Sequence, residues 1–184
     1  IQSGDLACAD YQAREAVYRG AEALLASKDD LYVNTKWLWA KWNRTIGGSI
    51  SPALGAAVRR PIFDEHPEPA HALTWLAQDL LVMALTEQSY VPVLESTTEN
   101  GAVRDPYVVP IATVEGMLAM RQVDEGVQLS REGLLLWGIA HSRTKDDAVR
   151  AATDRIHSWG QLPTYEEVAD YYDQLINIGL LIQS

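Results

Sequence analysis

The residues best suited to chemistry lie in a segment of 33 residues, 31–63, which holds five basic side chains and no acidic one. Tryptophans stand among these cations in the run KWLWAKWNR. A tryptophan ring on which a base stacks, flanked by cations that neutralise phosphates, is typical of single-stranded nucleic-acid binding. We therefore predict a polyanion-binding site made of Lys36, Trp37, Lys41, Arg44, Arg59 and Arg60.

The same segment admits a packing interpretation. On a helical wheel of the predicted helix 30–44, Leu31, Leu38 and Trp42 share one apolar face. The opposite arc holds Lys36, Trp37, Lys41 and Arg44. The tryptophans would then cover a helix that is buried on most sides, and the cations would pair with acids of the chain or of a neighbouring subunit. Both interpretations stay open at this stage, and backbone N–H groups of the following Gly47-Gly48 loop are further candidates for anion binding.

The charge of the rest of the chain is strongly negative. The 184 residues carry a formal charge of −10, so the residues outside the segment carry −15, which excludes a uniformly basic surface. No Lys or Arg follows Arg155. The helix predicted at 164–178 is acidic and would repel phosphates. We therefore predict that it faces solvent or a basic partner, including the 31–63 segment of another copy. Its acidic residues are Glu166, Glu167, Asp170 and Asp173.

Metal and enzyme signatures are weak. Two acid-x-x-His tetrads, Glu68 to His71 and Asp154 to His157, resemble the ligand spacing of di-iron helical bundles. However, Pro69 takes the first tetrad out of helical register, and the second has Asp in place of the usual Glu. The chain also lacks a Walker A sequence, G-x-G-x-x-G and G-x-S-x-G. We predict no catalytic residue, no metal and no cofactor. A metal-dependent helical-bundle enzyme stays a third hypothesis, after a structural protein and a protein-binding module.

The apolar periodicity predicts a mainly α-helical fold, a bundle around a central helix at about 69–88. Two β-rich runs, 90–94 and 107–111, predict a small hairpin within about 90–111. The other predicted helices are at 6–27, 30–44, 52–60, 113–121, 130–142, 146–158 and 164–178.

Two parts are predicted, packed as one unit: a helical core at 1–128, which includes the 31–63 segment, and a helical subdomain at 129–184. In the second part Thr164 and Glu167 form a capping-box pattern, and Gly179 precedes a final apolar strand. Three short helices followed by a strand resemble a winged-helix module, which implies a binding role for this third of the chain. The acidity of its last helix favours a protein partner over DNA.

These observations predict a non-catalytic, self-associating structural protein that contacts nucleic acid or another polyanion through 31–63, as a coat, nucleoprotein or scaffold subunit does. A regulatory or adaptor module that binds protein through the C-terminal third is the alternative. No apolar run is long enough to span a membrane, and no signal peptide is visible, so we expect a cytoplasmic or other intracellular assembly. The single Cys8 leaves no intrachain disulfide.

Overall fold

The computed structural model describes residues 3–30, 35–63, 69–87, 90, 92, 101–122 and 125–183. Within these ranges the chain is mainly helical with small antiparallel sheets, which confirms the predicted fold class. It divides into two compact units, residues 1–94 and 95–184. The division predicted between residues 128 and 129 falls within a strand of the second unit.

The described part of the first unit consists of helices. They are α1 (Ser3–Ala26), α2 (Leu38–Thr45), α3 (Pro52–Phe63) and α4 (Ala70–Thr86), with a 3-10 turn at Thr35–Trp37 before α2. Helix α1 packs along α4, the predicted central helix. Gly20 permits this close approach, because a β-carbon there would lie 3.0 Å from Leu80 Cβ and 3.2 Å from the Ala77 carbonyl oxygen. Val17 and Leu24 of α1 are buried.

The second predicted helix is shorter than expected. We predicted one helix over 30–44, whereas α2 begins at Leu38 and residues 31–34 lie outside the described ranges. Residues 35–37 form a 3-10 turn before α2. The next helix begins as predicted, because the Leu54 N–H donates to the N-cap hydroxyl of Ser51 at 3.2 Å.

The described part of the second unit combines two small sheets with three helices. Its elements are β1 (Ala102–Arg104), β2 (Val109–Thr113), β3 (Gly116–Gln122), β4 (Glu125–Leu129), α5 (Arg131–Ala140), α6 (Lys145–His157), α7 (Tyr165–Asn177) and β5 (Leu181–Gln183). Strands β2, β3 and β4 form an antiparallel meander, and β1 pairs antiparallel with β5. The predicted run at 107–111 therefore contributes to β2, whose described partner is β3; most of the run at 90–94 lies outside the described residues.

The helix predicted at 113–121 is wrong, because this stretch forms most of β3. Its residues GMLAM have no strong strand preference, and pairing with β2 and β4 on both sides decides their conformation. A tight turn connects β2 to β3, and Gly116 closes it with φ of +140°, a conformation that favours glycine.

The three helices of the C-terminal third are confirmed, and local caps explain their bounds. Ser130 and Thr144 accept hydrogen bonds from backbone N–H groups at the starts of α5 and α6. Thr164 and Glu167 form the predicted capping box of α7, and Gly179 follows this helix with φ of +73°. The final strand pairs with β1, which lies upstream of the three helices in sequence.

Candidate functional site

Two of the predicted phosphate ligands converge on one acid of the same unit. Arg44 Nη2 lies 2.5 Å from Asp30 Oδ2, and the Thr45 hydroxyl donates to the same oxygen at 2.9 Å. These hydrogen bonds, with that from Arg44 the stronger influence, hold the pKa of the Asp30 carboxyl below its ordinary value. Lys41 Nζ lies 3.9 Å from Asp30 Oδ1. Asp30, just outside the acid-free segment, therefore offsets part of its charge.

Lys41 requires a correction. The helical wheel placed it on the solvent arc of α2, whereas its side chain is 8% exposed in the structure. The neighbouring Asp30 carboxylate provides a counter-charge for the buried ammonium. Lys41 thus lies inside the first unit, whereas the Arg44 side chain remains 67% exposed.

Trp37 retains the geometry that base stacking needs. It is 52% exposed at the end of the 3-10 turn, directly before α2. Lys36 Nζ lies 5.9 Å from the centroid of its ring. An exposed indole with an ammonium over its ring combines an aromatic surface for a base with a cation for a phosphate.

A second aromatic group joins α2 to the end of α3. Trp39 stacks on the buried Trp42 with ring centroids 6.0 Å apart and planes inclined by 9°. Phe63, 48% exposed, meets Trp39 edge to face at 6.4 Å. The Arg59 guanidinium carbon lies 5.6 Å from the Trp39 ring centroid. Trp39 and Phe63 were absent from the predicted site, because their contact joins residues on different helices.

Arg59 and Arg60 are the most available cations of the segment. Both are exposed in the second half of α3, and neither has a carboxylate partner among the residues that the structure describes. The predicted glycine-loop contribution is reduced, because the Gly47 N–H donates to the Trp42 carbonyl at 2.8 Å. We call the following set the basic aromatic surface: Lys36, Trp37, Trp39, Arg59, Arg60 and Phe63.

The predicted acidic residues lie on α7 but have different environments. Glu167 caps the helix, accepting a hydrogen bond from the Thr164 N–H at 2.8 Å. Asp173 receives Lys145 Nζ at 2.6 Å and 2.8 Å on its two oxygens. Glu166 and Asp170 are exposed.

Two cavities adjoin α7 and share Tyr171 and Gln174 in their walls. The larger, about 550 Å³, is lined by Glu132, Glu167 and Asp170 together with apolar residues of all three helices. The smaller, about 340 Å³, is mainly apolar and lies between α7 and the end of β4. We call the two cavities together the α7 groove. Sequence reasoning had no signal for it, because its walls come from separate elements.

A buried polar group lies elsewhere in the second unit, where α5 meets β1. Arg104 is fully buried, with its guanidinium carbon 5.2 Å from the centroid of the Trp137 ring. His141 is 2% exposed, and its Nδ1 accepts the Arg104 backbone N–H at 3.4 Å. Burial, and secondarily the charge of Arg104, lower the pKa of His141 to about 3. The imidazole is therefore neutral at pH 7.

Among the described residues, no group of three or more His, Cys, Asp or Glu side chains is placed to hold a metal ion. Glu68 of the first tetrad lies outside those residues, while His157 of the second is exposed on α6. In the same ranges, no helix combines the length and apolar character needed to cross a bilayer.

Comparison with known proteins adds no family: the chain matches no protein-family model and has no significant match among curated proteins or solved structures.

Proposed function

We propose that this protein is a non-catalytic, self-associating structural protein that contacts nucleic acid or another polyanion through the basic aromatic surface. The observation that carries the proposal is the half-exposed Trp37 ring with the Lys36 ammonium over it, 5.9 Å from the ring centroid. Arg59 and Arg60 add two exposed cations on α3. Stacking and phosphate neutralisation are the two contributions that single-strand binding combines.

The buried position of Lys41 refines the residues to be tested. A phosphate cannot reach an ammonium that is 8% exposed without local rearrangement, so we assign Lys41 a structural role. Arg44 is exposed but shares its charge with Asp30, so we expect a weaker contribution from it. Arg59, Arg60 and Trp37 are therefore the residues on which affinity should depend most.

Fluorescence anisotropy with a labelled single-stranded oligonucleotide tests this proposal over a series of salt concentrations. We expect R59E/R60E to make the slope of log K against log salt shallower by roughly 1.4, since each phosphate contact contributes about 0.7. We expect W37A to weaken binding roughly 5- to 150-fold, the range for loss of one stacked base.

A matched control separates this surface from overall charge. R19E/R150E makes the same change in net charge at two exposed arginines outside the segment, on α1 and α6. Binding that weakens equally in both double variants would contradict the proposal, as would wild-type protein that binds no oligonucleotide at low salt. Circular dichroism of each variant checks that it has folded.

The α7 groove favours a second candidate function, a module that binds protein through the second unit. Removing residues 160–184 would be a poor test, because α7 buries Val168, Tyr172 and Leu175 and β5 pairs with β1. D170K changes the groove with less disturbance of the fold, since Asp170 is exposed. If a partner protein recovered with the wild type binds D170K equally well, that result counts against this function.

A further inference from the structure

The α7 groove has an apolar end and an acidic end. Val127, Leu129 and Leu175 contribute to the wall of the apolar end, and Glu132 and Asp170 to the wall of the acidic end. Tyr171 and Gln174 line both ends, so the two cavities are neighbours along α7. A ligand that fills the groove must therefore present an apolar group and a cation a short distance apart.

The negative charge of the groove is not compensated from its own walls. Among the described residues, no Lys or Arg lines either cavity, and Glu132 and Asp170 have no ion pair. Lys145 is already bound to Asp173, and the Arg131 guanidinium lies over the Trp159 ring at 4.4 Å. A cationic ligand would be attracted by the carboxylates at the cavity wall.

The first unit presents the complementary chemistry. Trp37 and Phe63 are about half exposed, and Arg59 and Arg60 are exposed on α3. The Arg59 guanidinium lies over the Trp39 ring, which Phe63 also contacts. Aromatic rings and arginines are the residue types that most often anchor protein interfaces. The rings match the apolar end of the groove, and the guanidinium groups match its carboxylates.

We propose that the α7 groove of one copy binds the basic aromatic surface of a second copy. Because the two surfaces differ, the contact is heterologous and produces a ring or an open chain of subunits. The groove and a polyanion then compete for the same cations, so that polyanion binding releases this contact. The contact rests on the self-association in the proposed function, and the competition rests on its polyanion binding.

A charge swap tests the contact. R59E/R60E makes the basic surface acidic, and E132K/D170K makes the groove basic while leaving the Glu167 cap intact. By size-exclusion chromatography with light scattering at low salt, we expect wild type to associate and each variant alone to be monomeric. An equimolar mixture of the two variants should associate again, and so should a chain that carries all four substitutions.

Several results would overturn the contact: a monomeric wild type, variants that associate like wild type, or correctly folded variants whose mixture stays monomeric. R19E/R150E, which should associate like wild type, controls for net charge. Adding the single-stranded oligonucleotide tests the competition separately, and we expect it to reduce the mass of the assembly. Oligonucleotide that binds without changing the mass refutes the competition. Oligonucleotide that fails to bind refutes the polyanion binding in the proposed function and leaves the charge-swap result on self-association standing.

Discussion

Replacing His141 should change how the stability of the protein depends on pH. The imidazole is 2% exposed, and burial together with the nearby Arg104 charge lowers its pKa from 6.5 to about 3. H141N is the appropriate variant, because the Asn carbonyl can accept the Arg104 backbone N–H that now binds Nδ1. It removes the titrating group and keeps an acceptor in place.

The sign follows from the two pKa values. A histidine whose pKa is lower in the folded state favours folding fully above pH 6.5, and this contribution is lost as the pH falls from 6.5 towards 3. Between pH 7 and pH 5 the unfolded chain gains about 0.7 proton at this site, and the folded chain gains almost none. The loss from this group is about 2 kcal/mol, and it is nearly the same for any folded pKa below about 4.

Urea unfolding of wild type and H141N at pH 7 and pH 5 measures this loss. Other groups titrate in both proteins and cancel in the comparison, so wild type should lose about 2 kcal/mol more than H141N. H157N, which replaces an imidazole that is exposed on α6, controls for the loss of a histidine as such. Equal losses in wild type and H141N would refute the conclusion that His141 is buried in its neutral form.

Three further changes test packing, charge and capping. G20V introduces a branched side chain where even a β-carbon would lie 3.0 Å from Leu80 Cβ. It should lower the free energy of unfolding in urea by roughly 1–3 kcal/mol. An unchanged value would contradict the close contact of α1 with α4. D30N removes the carboxylate charge beside Arg44. It should steepen the slope of log K against log salt for oligonucleotide binding by roughly 0.7. A shallower dependence would count against a contribution from Arg44. T164A removes the capping-box hydroxyl of α7 and should cost about 1 kcal/mol by thermal or urea unfolding, and no loss would show that the cap is dispensable.

The helices of the C-terminal third could be predicted because their signals are local. Thr164 and Glu167 are three residues apart, and the hydrogen bonds they make confirm the start of α7. Strand β3 could not be predicted in the same way. Its conformation depends on pairing with β2 on one side and β4 on the other, and its own residues do not favour a strand strongly enough to reveal it.

The sequence by itself determined the caps, the apolar periodicity and the uneven distribution of charge, because these depend on residue types and on spacings of a few positions. Only the tertiary structure decided which cations face solvent: Lys41 is buried beside Asp30, whereas Arg59 and Arg60 are exposed. It also brought Phe63 to Trp39 and formed the α7 groove from separate elements. Burial and contact between distant residues depend on how helices pack, and spacing along the chain does not encode that directly.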